Sequence, residues 1–253
     1  MKKIYAFVFL FIFAFGFSAW ALDANYAKTL SEANNLYSKS QYDAALEKYQ
    51  KLSLIEATPE AYYNLGNAYF KTKQLGPAIA AYETAKILAP RDSDIRNNLK
   101  FANSLVQSKL AQTKDWYLKD LENVFSYFSI TETEIAALGL TAVTVSWMIL
   151  LLIFGRSPFR GWVFRSLITL VLFAAVVYGL KYYFYFGQTN GVVIRPDSEV
   201  RYGPSKDEKV VFRLPEGLKV RLIEEREGWE KVQISNKNNG WIAKDDVKII
   251  KVA

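Results

Sequence analysis

The sequence predicts a multidomain membrane protein in three parts: an all-α helical repeat, a two-helix transmembrane hairpin and an all-β small barrel. Three observations predict it. Two stretches near the start align with each other at a spacing of 33 residues. Two uncharged apolar blocks, 135–154 and 166–180, occupy the middle of the chain. From residue 187 onward, β-branched residues alternate with charges between closely spaced turn signals. At 253 residues the chain has room for one large or two small domains.

Composition removes whole classes of chemistry. Histidine and cysteine are both absent. That excludes Ser–His and Cys–His nucleophile pairs, a histidine base, Cys/His metal sites and disulfides. No phosphate-cradling glycine loop is present. The adjacent carboxylates Glu224/Glu225 and Asp245/Asp246 remain, but neighbours on a strand point to opposite faces, which suits solvated charges better than acid–base work. The expectation is a non-enzyme with no metal and no cofactor. The net charge is +7, yet the soluble stretches 22–110 and 187–253 carry only +2 each. Nucleic acid is therefore not an expected partner.

Residues 1–21 read as a signal peptide. Lys2 and Lys3 precede an apolar run over 4–17, and Ala19-Trp20-Ala21 is a small-residue cleavage site. The run is short for a span, so cleavage is favoured over retention as an anchor.

Residues 22–110 form the helical part. Ala33 aligns with Gly66, Ala45 with Ala78 and Tyr49 with Tyr82. Small residues let antiparallel helices approach, the tyrosines fill the space beside them, and Pro90 ends a helix. With Tyr62, Leu65, Gly66, Tyr69, Ala78, Tyr82, Ala85 and Pro90 in place, the stretch 60–90 resembles a tetratricopeptide repeat. The usual turn glycine is Lys73, and Gly76-Pro77 opens the second helix. A third helix after Pro90 has no partner helix and reads as a cap. Two repeats and a cap are marginal, so this part should lean on a partner, a second copy or the membrane. The resemblance implies a peptide groove on the face built from each first helix, at Asn34, Tyr37, Tyr63, Asn64, Asn67, Phe70, Lys71 and Asn98. Asparagine suits an extended peptide because it both donates and accepts. The same asparagines would also serve simply to solvate a helix face. The family's clamp for C-terminal carboxylates needs lysine where Leu30 and Asp94 stand, so capture of a chain terminus is not expected.

Residues 111–134 are amphipathic, with Trp116, Leu118, Leu121, Val124, Phe125 and Phe128 on one helical face. Such a helix lies on the membrane surface or docks on a neighbour. Thr131 and Glu134 match a capping box at the start of the next helix.

The block 135–154 has 20 uncharged residues, about 30 Å of helix, which matches the hydrocarbon thickness. The second block extends to 166–186, its YYFYF run reading as an interfacial aromatic belt. Arg156, Arg160 and Arg165 lie in the intervening loop, 155–165, and the flank before the first block is acidic. The positive-inside rule places this loop in the cytoplasm. The signal peptide independently exports the chain from residue 22 onward. Both arguments put the two soluble parts on the outer, periplasmic side of a bacterial inner membrane.

Residues 187–253 predict seven short strands near 192–194, 199–202, 210–214, 219–224, 229–234, 240–243 and 247–250. Val200-Arg201-Tyr202-Gly203-Pro204-Ser205, Pro215-Glu216-Gly217 with Val220, Gly228-Trp229 with Val232, and Gly240-Trp241-Ile242 together resemble a bacterial SH3 domain. The resemblance implies binding of cell-wall peptide or protein, with Tyr202, Trp229 and Trp241 available for a ligand surface. Aromatics at strand spacing serve equally as core.

This order of parts is similar to the BatE family of bacterial aerotolerance proteins. That resemblance implies a non-enzymatic envelope scaffold beside von Willebrand A-domain membrane proteins and a MoxR-type ATPase. The alternative is a wall sensor whose barrel holds peptidoglycan while the hairpin anchors it.

Overall fold

In a computed structural model of the chain, the structure describes residues 20–106, 127–154, 160–186, 189–235 and 238–250. Most of the expected signal peptide, most of the amphipathic strip 111–134 and the start of the loop 155–165 lie outside the described residues.

The first module is a run of antiparallel helices: α1 (Trp20–Ser38), α2 (Tyr42–Ile55), α3 (Pro59–Lys71), α4 (Leu75–Leu88) and α5 (Ser93–Ser104). Small residues set the spacing. Ala33, Ala45, Ala61, Ala68, Ala78 and Ala85 are wholly buried. A Cβ on Gly66 would sit 2.6 Å from the Tyr82 ring, so only glycine admits that ring. Thr58 caps α3 by accepting the Ala61 N–H at 3.1 Å, with Pro59 in the first turn. Asp92 caps α5 the same way. The turns of both repeats place a non-glycine residue in the left-handed region, Ser40 at φ 61° and Lys73 at φ 63°. They stand 33 positions apart, so the repeat extends to backbone conformation even where the usual glycine is missing.

The barrel is one antiparallel sheet of seven strands in the order β3-β2-β6-β5-β4-β1-β7. The strands are β1 (Asn190–Val193), β2 (Ser198–Arg201), β3 (Val210–Leu214), β4 (Lys219–Arg226), β5 (Trp229–Ser235), β6 (Asn238–Ala243) and β7 (Val247–Ile250). All seven expected strands are present. Val193, Val200, Leu214, Val232 and Ile242 close the core. Asp245 and Asp246 fall between the sixth and seventh expected strands and form a 3₁₀ turn over Lys244–Asp246, where the chain passes from β6 to β7, so the strand-alternation argument does not apply to that pair.

Between the modules run α6 (Ile130–Phe154) and α7 (Arg160–Phe186). The stretch Gly161–Tyr183 is long and apolar enough to cross a membrane; among the described residues no other helix meets that standard. It starts at Gly161 rather than 166, so Arg165, expected in a loop, is helical. The capping box at the start of α6 is also displaced. Ser129 and Glu132 form it, each side chain bonding the other's backbone N–H at 3.1 and 2.9 Å. Thr131 and Glu134 lie inside the helix because it begins earlier than their pattern suggests. Phe128, expected on the amphipathic helix, sits in a bend.

The helical module packs against the barrel of the same chain. Ala78, Ile79, Leu99 and Ala102 share one buried cluster with Val192 and Ile250. Helix α4 lies along β1 and β7. A Cβ on Gly76 would fall 2.4 Å from the Val193 carbonyl oxygen, so glycine opens this helix because the barrel's backbone touches it. The Gly76 N–H, free at a helix start without a side-chain cap from Gln74, donates to the Glu216 carboxylate at 2.7 Å. Gly217 has φ +85°, and a Cβ there would meet Val106 and Ile79 within 2.9 Å. Lys219 and Glu83 add an ion pair at 3.1 Å.

Candidate functional site

The first helices α1, α3 and α5 bound an open groove of about 350 Å³. Tyr37, Tyr63, Asn67, Phe70, Lys71 and Asn98, all singled out from sequence, line it together with Tyr82 and Phe101. Asn34 and Asn64 are not in its lining. They join each other at 3.4 Å, and Asn34 accepts the Tyr49 hydroxyl at 2.6 Å. Asn67 accepts the Tyr82 hydroxyl at 2.7 Å in the same way. Each repeat thus ties a second-helix tyrosine to a first-helix asparagine 15 positions earlier. That spacing, present twice in the sequence, was the signal that these amides have work inside the fold.

The hydrogen bonds fix how the groove floor is oriented. Asn98 Nδ2 donates both its hydrogens, to Asn67 Oδ1 at 2.9 Å and Tyr63 Oη at 3.1 Å. Among the described residues, its own Oδ1 is left as an acceptor, while Asn67 Nδ2 and the Tyr63 hydroxyl proton are left as donors. Lys71, whose ammonium stands 5.9 Å from the centre of the Tyr42 ring, adds a cationic donor. The surface is therefore richer in donors than in acceptors. Phe70 and Phe101 meet with ring centres 5.7 Å apart and planes tilted by 59°, and make an apolar wall. Phe101, which sequence reasoning did not single out, is 57% exposed. Burial raises the Tyr82 and Tyr37 phenols and pushes Tyr49 up to about 12, the neighbouring phenols adding to each rise. These tyrosines stay neutral at physiological pH, and Lys71 carries the charge of the groove.

On the barrel, the pairs Lys231–Trp241 and Trp229–Ala243 put both tryptophans on one sheet face. Trp241 is only 6% exposed because Arg226 and Lys231 cover its ring at 5.5 and 5.7 Å. Such coverage is the cation–π arrangement of a satisfied side chain. Tyr202 is exposed in the bend just beyond β2, next to Arg201, which pairs with Trp241 across the sheet. The carboxylate pairs are held by cations: Glu224 by Arg226, Glu225 by Lys244 and Asp246 by Arg195.

Comparison with known families agrees with this geometry. Residues 59–92 match the tetratricopeptide repeat family, and residues 33–73 match a second profile of the same repeat. Residues 197–248 match the bacterial SH3 domain. No curated protein matches the chain as a relative.

Proposed function

We propose that this protein is a membrane-anchored, non-enzymatic adaptor whose helical groove holds an extended segment of a partner protein. The observation that carries this reading is the oriented floor of Asn67, Asn98 and Tyr63 beside the cation of Lys71. Its donor surplus favours a peptide offering carbonyl and carboxylate oxygens, and the Phe70–Phe101 wall favours a bulky apolar side chain next to them. Repeat and SH3-type modules are both binding modules, and two on one chain raise each other's effective concentration at a shared assembly.

A parity argument supports the membrane arrangement. The two modules share a core, so the chain leaves and re-enters the same aqueous side. If Gly161–Tyr183 crosses the bilayer, an odd number of crossings would pull the modules apart, and α6 is the helix available to complete the pair. With Arg156 before α7 and Arg160 at its first residue, the positive-inside rule favours a cytoplasmic bend for that hairpin, with both modules on the outer side. This arrangement is the one expected of a BatE-like envelope scaffold working beside von Willebrand A-domain proteins and a MoxR-type ATPase.

Peptide binding to the purified full chain in detergent tests the groove. Peptides with an aromatic residue beside an acidic one should bind, and K71E and F101A should each weaken them at least about tenfold, the loss of one good contact. Equal binding by the variants would refute the reading. Exposed Tyr202 supports a second, narrower role for the barrel in holding wall peptide. Full-length protein that fails to sediment with purified sacculi would remove that role.

A further inference from the structure

The helical module has two unlike ends. In an antiparallel stack the α1–α2 and α3–α4 turns, at Ser40 and Lys73, lie at one end, and the α2–α3 and α4–α5 connections lie at the other. A 14-residue helix separates the two ends by about 20 Å. The α2–α3 connection follows Leu54 and Ile55, which are 85% and 51% exposed. The α4–α5 connection holds Arg91, which ion-pairs with Glu132 of α6 and stands 5.5 Å from the ring centres of Tyr127 and Phe128.

That contact lies beside the end of the apolar stretch of α7. The Lys181 ammonium of α7 donates to the carbonyls of Phe128 at 2.7 Å and Ser129 at 3.0 Å. This bond brings the exposed pair Tyr127–Phe128 level with the exposed pair Tyr182–Tyr183, where the apolar stretch ends. Aromatic rings and long cations collect where hydrocarbon gives way to headgroups. The Arg91 connection therefore stands at the edge of the span, and Leu54 and Ile55 lie at the same end of the stack.

We infer that the helical module is seated end-on upon the bilayer, with Leu54 and Ile55 entering the boundary between headgroups and acyl chains. The partner of this end is the lipid surface itself. Two large apolar side chains held out in water lose unfavourable hydration when they enter that boundary, and Arg91 on Glu132 holds the module over it. The inference rests on the membrane-anchored reading given above.

Because the chain contains no cysteine, single-cysteine labelling tests it directly. Full-length L54C, S93C, K39C and L172C, each carrying an environment-sensitive nitrobenzoxadiazole, are reconstituted in vesicles of phosphatidylcholine and phosphatidylglycerol. Labels at positions 54 and 93 should shift to the blue and lose most of their emission to headgroup nitroxides. The label at position 39, at the far end of the stack, should do neither, and the label at 172 should be quenched from the acyl chains. Should labels at 54 and 93 behave like the one at 39 while 172 is still quenched, the seat is overturned and the anchor stands. A label at 172 beyond the reach of acyl-chain nitroxides overturns the anchor, and the seat with it.

Discussion

Glu230 points into the barrel from β5, paired across the ladder with Ile242, and only 4% of it meets solvent. Burial raises its carboxyl above the usual range, Glu225 adds to the rise, and Lys244 opposes it. A carboxyl that is harder to ionise in the folded state leaves stability intact below its unfolded value, about 4.3, and removes stability as pH rises through the folded value. E230Q should therefore raise the melting midpoint at neutral pH and match the parent below about pH 4. Thermal melts at the two pH values decide it, and a parent that outlasts E230Q at neutral pH would refute it. At this scale the sequence is only half legible. Alternation puts residue 230 inward, but nothing in a pattern of residue types says that an inward glutamate keeps Lys244 within reach. Asn67 has the same difficulty: its place on the groove face is readable, while the occupation of its oxygen by Tyr82 depends on a helix packed across from it.

Helices and strands were legible because their signals are local. The spacing of alanines and tyrosines marks each repeat, and turn residues bracket every strand. The contact between helix α4 and the barrel is different in kind. Gly76 and Glu216 are 140 positions apart, and each looks ordinary alone, a glycine near a helix start and an acid in a Pro-Glu-Gly turn. Together they make an N-cap supplied from another module, in which a carboxylate meets the positive end of the helix. E216A should cost about 1 kcal/mol, as the loss of a side-chain cap does elsewhere. The loss should appear first as faster amide hydrogen exchange over the opening turn of α4, far from the mutation in sequence. E208A, on an exposed turn of the same barrel, should leave those amides unchanged. Equal exchange in E216A and the parent would mean that the cap contributes nothing.

At the scale of the whole molecule the barrel supplies what the repeats lack. A third repeat would set its second helix beside α4 and α5; β1, β7 and the turn at Gly217 occupy that side instead, closing over Ala78, Ile79, Leu99 and Val106. The modules are thus two domains by sequence and one by packing, and composition hides this because each half has its own apolar pattern. A fragment of residues 22–110 leaves Ile79, wholly buried in the intact chain, facing water. Truncating a buried contact of that size costs about 2–5 kcal/mol, a large share of what a domain this small possesses. The fragment should accordingly melt at a lower temperature and over a broader range than the same helices in the full chain. Adding residues 187–253 as a separate fragment should restore part of the difference, and G76A should abolish that restoration, since its Cβ would strike the Val193 carbonyl. Circular dichroism at a helical wavelength follows each step. A fragment that melts sharply at the temperature of the intact helices would show that the barrel is a neighbour and not a support.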